Sequence, residues 1–199
     1  MLGVKFTMLE YMPNSTEFYH FGSTLVRETA WMSREDFKAS SIARRASYSY
    51  LNALVEGSFK AVGRALKESG FPLKDSYRAR FAQAAEVGVL PKMLSERLQH
   101  LAKLRNRTTH ETSEVNETLE VYPALLEMIV ISLAMSAIVG ALHSSRPTRV
   151  SVTASRIREL STPRNSDDPT SLEQQTLDAK LSQFERWIEI EYTPPPRVR

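Results

Sequence analysis

At 199 residues the chain has the length of one compact domain, enough to bury a sizeable core. A composition of 42% hydrophobic and 25% charged residues is that of an ordinary folded protein and excludes a disordered tail, a collagen repeat and a coiled coil. Lys and Arg number 26 against 23 Asp and Glu, a net charge of +3 that is compatible with an anionic partner without requiring one, and the lack of Cys excludes disulfides, thiolate catalysis and Cys-ligated metal sites. A reducing cytoplasm is the expected setting.

Residues 1–12 carry Lys5 and Glu10 and lack the apolar run of a secretory leader, so export is not expected. Asn14 and Glu17 form a capping pair that predicts a helix over about 15–32, and Ser33 opens the next. No Pro occurs in 34–69, where Tyr48, Leu51, Val55, Phe59, Val62 and Leu66 recur at steps of three and four. That spacing predicts one long helix with a single core-facing stripe, ended by Gly70 and Pro72. The segment 75–87 places Tyr77, Phe81 and Ala84 or Ala85 on one face and stops at Gly88.

Pro91 opens a helix expected to run to about Arg107, with Leu94, Leu98 and Leu101 as its apolar stripe. Thr108 and Glu111 have the spacing of a capping box and predict a further helix over about 110–143. Glu111, Glu114, Glu117 and Glu120 would lie at its N-terminal end, where the helix dipole favours carboxylates. Residues 128–142 read MIVISLAMSAIVGAL, and Glu127 is the only charge in 121–142. The uncharged run is shorter than the about 20 residues a bilayer needs, so a buried central helix is expected and no membrane span.

Beyond Arg146, residues 144–170 are rich in Ser, Thr, Pro, Arg and Asp, with a β-branched stretch at 150–153, and read as a mostly irregular connection. Thr170 and Glu173 offer another capping box, and Leu177, Leu181, Phe184 and Ile188 mark an amphipathic helix to about Tyr192, closed by three Pro at 194–196. The tail TPPPRVR is expected to be a disordered end. The expected fold is all-α: an antiparallel bundle over 1–146, a connection over 147–169, and an additional C-terminal amphipathic helix with its tail over 170–199.

The four His are His20, His100, His110 and His143; none has HExxH spacing or an acidic grouping that reads as a metal site. There is no phosphate-cradling Gly loop and no nucleophile elbow, so no cofactor is expected. What remains is LRNRTTHET at 104–112. Four residues beyond Leu101, Arg105 continues the apolar stripe toward the buried or interface side, and His110 follows five positions later. A guanidinium is a permanent forked donor suited to phosphate, and an imidazole exchanges a proton near neutral pH. Together they can hold a phosphodiester and move its protons. The plainer alternative pairs Arg105 with a carboxylate such as Glu56 and leaves His110 as a polar residue at a helix start.

His100, Lys103 and Arg107 occupy a different stripe, which either tracks RNA or is a solvated helix face. Arg44 and Arg45 carry the same two readings. Tyr48, Tyr50 and Phe59 could stack on bases, but helical spacing makes Tyr48 and Phe59 core candidates. For His20 and His143 no role is expected.

Arg105, Asn106 and His110 resemble the R[polar]xxxH motif of the HEPN superfamily, and the stripe over 94–104 with the apolar helix after it fits that family's bundle. The resemblance covers 33–143. It implies an HEPN-like bundle whose active members are metal-independent endoribonucleases, many of them toxins or antiphage-defence effectors, commonly dimeric with two motifs meeting at the interface. It implies catalytic roles for Arg105, His110 and Asn106, RNA as substrate, a homodimer, and an antitoxin or regulatory protein as a further partner; with RNA as substrate, His100, Lys103 and Arg107 become candidate RNA contacts. One subgroup, paired with small nucleotidyltransferase antitoxins, carries a modified Tyr two residues after the motif His. Here that position is Thr112, so such a pairing needs another acceptor. Two readings compete with the nuclease: a non-catalytic module binding RNA, a nucleotide or a protein through the 172–188 arm, and a membrane-associated protein resting on 128–142 alone.

Overall fold

Side-chain capping sets most helix starts in the computed structural model, which describes residues 14–110, 116–161 and 171–196, the side chains of His110 and Ser171 excepted. Helix α1, Ser15–Thr29, begins with the expected box: Asn14 Oδ1 accepts the Glu17 N–H at 3.0 Å, and the Asn14 N–H donates to Glu17 Oε2 at 3.2 Å. It stops three residues before the expected end. There Lys180 Nζ donates to the carbonyls of Thr29 and Ala30 at 3.0 and 3.1 Å, filling acceptors that the helix end leaves open.

The single helix predicted over 34–69 is two. α2, Arg34–Ala39, gives way to α3, Ser41–Glu68, at Ser40, whose backbone is extended and whose Oγ accepts the Ala43 N–H at 3.1 Å. Arg44 Nη1 reaches back to the Phe37 and Lys38 carbonyls and completes the break. A restart made by one hydroxyl and one guanidinium needs neither Pro nor Gly, so apolar spacing gave no sign of it. Gly70, at φ 79°, closes α3 in a conformation other residues adopt at a cost, and the Phe71 N–H then bonds the Leu66 carbonyl at 2.9 Å.

α4, Tyr77–Glu86, and α5, Lys92–His110, follow, with Gly88 and Pro91 between them as expected. The end foreseen at Arg107 is corrected, because α5 continues to His110. Thr108 and Thr109 donate their hydroxyls to the Arg105 carbonyl at 2.8 and 2.9 Å, so Thr108 sits inside a helix and not at the start of one. Glu111, Thr112 and Glu114 lie outside the described residues. Asn116, whose Oδ1 accepts the Leu119 N–H at 3.1 Å, opens the π-helical turn Glu117–Val121, and α6, Tyr122–Ser144, starts with a Pro in its first turn.

α6 is the central helix, with Met128, Val130, Ile131, Ala134, Met135 and Ile138 fully buried. By length and composition Glu117–Ser144 could cross a bilayer, but most of it is buried inside the bundle, against α1, α3, α5 and β1. The α1–α6 contact is close: a Cβ on Gly22 would lie 2.5 Å from Ser132 Oγ and 3.0 Å from Leu133 Cδ2.

The C-terminal third departs most from expectation. Within the supposed irregular connection lie β1, Thr148–Val152, and α7, Ala154–Ser161. The supposed helix to Tyr192 ends early: α8 is Ser171–Gln183, and Ile188–Tyr192 is strand β2. Its sequence IEIEY alternates apolar and acidic residues with period two, and antiparallel pairing sets Val152 opposite Ile188 and Val150 opposite Ile190. Tyr192 Oη donates to the Val89 carbonyl at 2.8 Å and ties this strand to the α4–α5 connection. Eight helices and one two-stranded sheet among the described residues make the expected all-α bundle.

Candidate functional site

Two flanks of α5 carry the residues singled out by sequence. On the flank toward α3 and α4, Arg105 is half-buried and held at three points. Its Nε donates to Asn52 Oδ1 at 2.8 Å, Nη1 to Asn106 Oδ1 at 3.1 Å, and Nη2 to Glu56 Oε1 at 3.0 Å. The guanidinium also stands 5.4 Å from the Tyr77 ring centroid. Tyr77 donates its hydroxyl to the same Glu56 oxygen. Burial first, and then the Glu56 carboxylate, push the Tyr77 phenol up to about 12, so it stays a donor at neutral pH. The pairing of Arg105 with Glu56 weighed in the sequence is therefore present, and among the described residues two of the five guanidinium N–H groups have no hydrogen-bond partner.

Asn106 is exposed and bonded to Arg105, so these two motif residues stand together. His110 is the last residue of α5, and its side chain lies outside the described residues. Five positions along a continuous α-helix correspond to about 140° around its axis from Arg105.

His100, Lys103 and Arg107 lie on the other flank and line a cavity of about 290 Å³ with Leu119, Glu120, Ala124, Glu127 and Arg186. Arg107 donates to Glu120, with Nη2 at 3.1 Å from Oε1, and this bond holds the Glu120 carboxyl below its usual range. Glu127 receives a two-pronged bond from Arg97, at 2.6 and 3.0 Å, and both side chains are more than nine-tenths buried. Arg186 Nε approaches the same carboxylate at 3.8 Å.

Sequence reasoning missed the Arg97–Glu127 pair, Arg186 and the Asn52 anchor. A signal existed for the first, since a lone carboxylate in an apolar helix demands a buried counter-charge. No periodicity marks Asn52 or Arg186. Of the remaining candidates, Arg44 pairs with Glu117 at 2.5 Å, and the same carboxylate accepts the Tyr48 hydroxyl at 2.5 Å. Tyr48 and Phe59 pack against the core but are only half-buried. Tyr50 bonds Glu28.

With this geometry in place, comparison with protein families finds one model, described as Ribonuclease HepT-like, that matches residues 19–122. The match takes in α1 from Tyr19, upstream of the resemblance seen in the sequence, and contains Arg105, Asn106 and His110. Comparison with curated proteins and with solved structures gives no match.

Proposed function

This chain belongs to the HepT-like ribonuclease family, which is of the HEPN type, and from that membership we propose that it is a metal-independent endoribonuclease, with residues 1–146 as the cleaving unit. The observation that carries the reading is Arg105: a guanidinium fixed by Asn52, Glu56 and Asn106 at the edge of the bundle, inside the family match, with two N–H groups that have no hydrogen-bond partner among the described residues.

In the proposed reaction the ribose 2'-OH attacks the adjacent phosphorus. The new bond joins O2' to phosphorus, the bond from phosphorus to O5' breaks, and the products are a 2',3'-cyclic phosphate and a 5'-OH. Arg105 stabilises the charge that grows on the non-bridging oxygens, and Asn106 holds the guanidinium and orients the phosphate. His110 takes the 2'-OH proton or returns one to the leaving O5', a role worth about 10²- to 10⁴-fold. In a homodimer with α5 at the interface, two copies of His110 divide these tasks. His100, Lys103 and Arg107 attract the RNA backbone. A cytoplasmic toxin or antiphage-defence effector, restrained by an antitoxin or regulatory protein, is the role that suits such an activity.

The three-point anchoring of Arg105 also supports a second reading, in which the guanidinium is structural and the protein binds RNA without cutting it. Incubating single-stranded and structured RNA with the purified protein in excess chelator separates the two. The nuclease reading expects cyclic phosphate ends, lost in Arg105→Ala and in His110→Ala; full cleavage by both variants would refute the assignment.

A further inference from the structure

Next to the Arg105 cluster stands a second half-buried guanidinium that has no carboxylate of its own. Arg80, in the first turn of α4, lies against α3: its Cζ is 3.5 Å from the Phe59 ring centroid, and its Nε donates to the Lys74 carbonyl at 2.8 Å. Gly63 makes this seat, because a Cβ there would come within 2.9 Å of Arg80 Nη1. The Phe59 ring stands 4.6 Å from the Tyr77 ring, and Tyr77 stands 5.4 Å from the Arg105 Cζ, so two guanidiniums flank one pair of rings. Arg44, Arg97, Arg105 and Arg107 each hold a carboxylate. Arg80 holds none among the described residues, and four of its five N–H groups have no hydrogen-bond partner there. Burial pulls its pKa below the usual value, and the Asp75 charge, which forms no bond to it, opposes that shift only in part. Lys60 and Arg64, each one residue beyond Phe59 and Gly63, are exposed and make no ion pair among the described residues. Arg105 bonds Asn52 and Glu56, and Arg80 covers Phe59 and Gly63, seven residues further along α3 or about 10 Å.

We propose that Arg80, flanked by Lys60 and Arg64, holds a second phosphate of the RNA strand cut at Arg105, and so lays that strand along α3 toward the α3–α4 connection. The inference rests on the proposed function and adds to it a path for the substrate. A guanidinium with one face against a ring and its outer N–H groups open presents a forked donor pair to a phosphate, and with no carboxylate bonded to it no existing pair has to break first. Separate phosphates of one short single-stranded segment can span about 10 Å, and a single phosphate cannot, so the held linkage is not the scissile one. Phe59 and Tyr77 keep the two guanidiniums apart and oriented. A contact made equally before and during the reaction tightens substrate binding and leaves kcat unchanged. Arg80 is on this reading a binding residue that sets where the strand is cut.

Fluorescence anisotropy of the full chain with a labelled single-stranded 2'-O-methyl RNA, which lacks the attacking hydroxyl, reads this contact without cleavage. Arg80→Gln should bind at least fivefold more weakly than wild type, and its log affinity should depend less steeply on log salt, by about 0.7. Lys60→Ala/Arg64→Ala, whose two side chains are exposed, should keep the wild-type melting temperature and lose at least fivefold as well. Gly63→Ala keeps every charge and displaces only the Arg80 guanidinium, and should lose at least threefold. A single uncharged methylphosphonate moved along the RNA should cancel the effect of Arg80→Gln at one linkage, and that linkage should differ from the one cut in ordinary RNA. In cleavage assays Arg80→Gln should raise KM and leave kcat within twofold. Wild-type affinity in Arg80→Gln or in the folded Lys60→Ala/Arg64→Ala chain, cancellation at no linkage or at the scissile one, or no RNA binding by the wild-type chain would each overturn the proposal. Arg80-dependent binding by a chain that leaves RNA uncut would refute the nuclease reading and keep the phosphate contact. Cleavage with affinity independent of Arg80 would do the reverse.

Discussion

Arg97 and Arg105 sit eight residues apart on one helix, and each meets a carboxylate in a different dielectric setting. The Arg97 and Glu127 side chains are 8% and 4% exposed, so removing one partner strands the other charge in the core. Arg97→Ala is expected to cost about 3–5 kcal/mol, read from urea denaturation. Arg105 and Glu56 are 18% and 31% exposed, and a screened pair of that kind contributes less than about 1 kcal/mol. Glu56→Gln should therefore leave stability nearly unchanged while lowering RNA cleavage about tenfold or more, because the anchor of the guanidinium loses its charge and holds it less firmly. Wild-type cleavage in Glu56→Gln would remove Glu56 from the positioning of Arg105. The pairing of Arg105 with Glu56 was open in the sequence as the plainer alternative, because Arg105 continues the apolar stripe of its helix and calls for a carboxylate; Asn52 was not legible, since its amide competes with every other polar residue of α3.

At the scale of elements, helix ends marked by a capping box or by Gly and Pro, as at Asn14, Gly70, Gly88 and Pro91, were legible, and ends made by hydroxyl and guanidinium contacts, as at Ser40, were not. Thr108 and Glu111 have capping-box spacing, yet the threonine hydroxyls bond back to the Arg105 carbonyl and the helix runs on. Leu181, Phe184 and Ile188 satisfy a helical period, but the IEIEY alternation that follows satisfies a strand period, and pairing with β1 decides between them. Nothing in one sequence weighs a partner 40 residues upstream of Ile190 before the fold brings it alongside. Helix packing gives a test at the same scale. The α1–α6 approach leaves no room at Gly22, so Gly22→Val should lower stability by about 2–3 kcal/mol, measured by thermal or urea unfolding. A neutral effect would mean that the two helices pack less closely than described.

At the scale of the molecule, ionisation sets a pH profile. Burial pushes the Lys180 amine down to about 8, so between pH 8 and its ordinary value of 10.5 the unfolded chain binds the extra proton and stability rises with pH. Burial pushes the Tyr77 and Tyr122 phenols up to about 12 from 10.0, so above pH 10 the unfolded chain loses protons first and stability falls. Denaturation from pH 7 to 11 should show a rise and then a fall, with Lys180→Met removing the rise and keeping the fall. The all-α class and the buried α6 were legible because hydrophobic periodicity and length are collective signals; the placing of the C-terminal strand and Arg186 against the bundle depends on contacts between distant segments. Metal-free RNA cleavage that requires Arg105 is the most direct test of the nuclease reading. With excess chelator, the wild-type chain is expected to leave 2',3'-cyclic phosphate ends and Arg105→Ala, folded as wild type, to leave at most about a hundredth as many. Equal yields from the two, or no cleavage by the wild-type chain on any RNA, would contradict it.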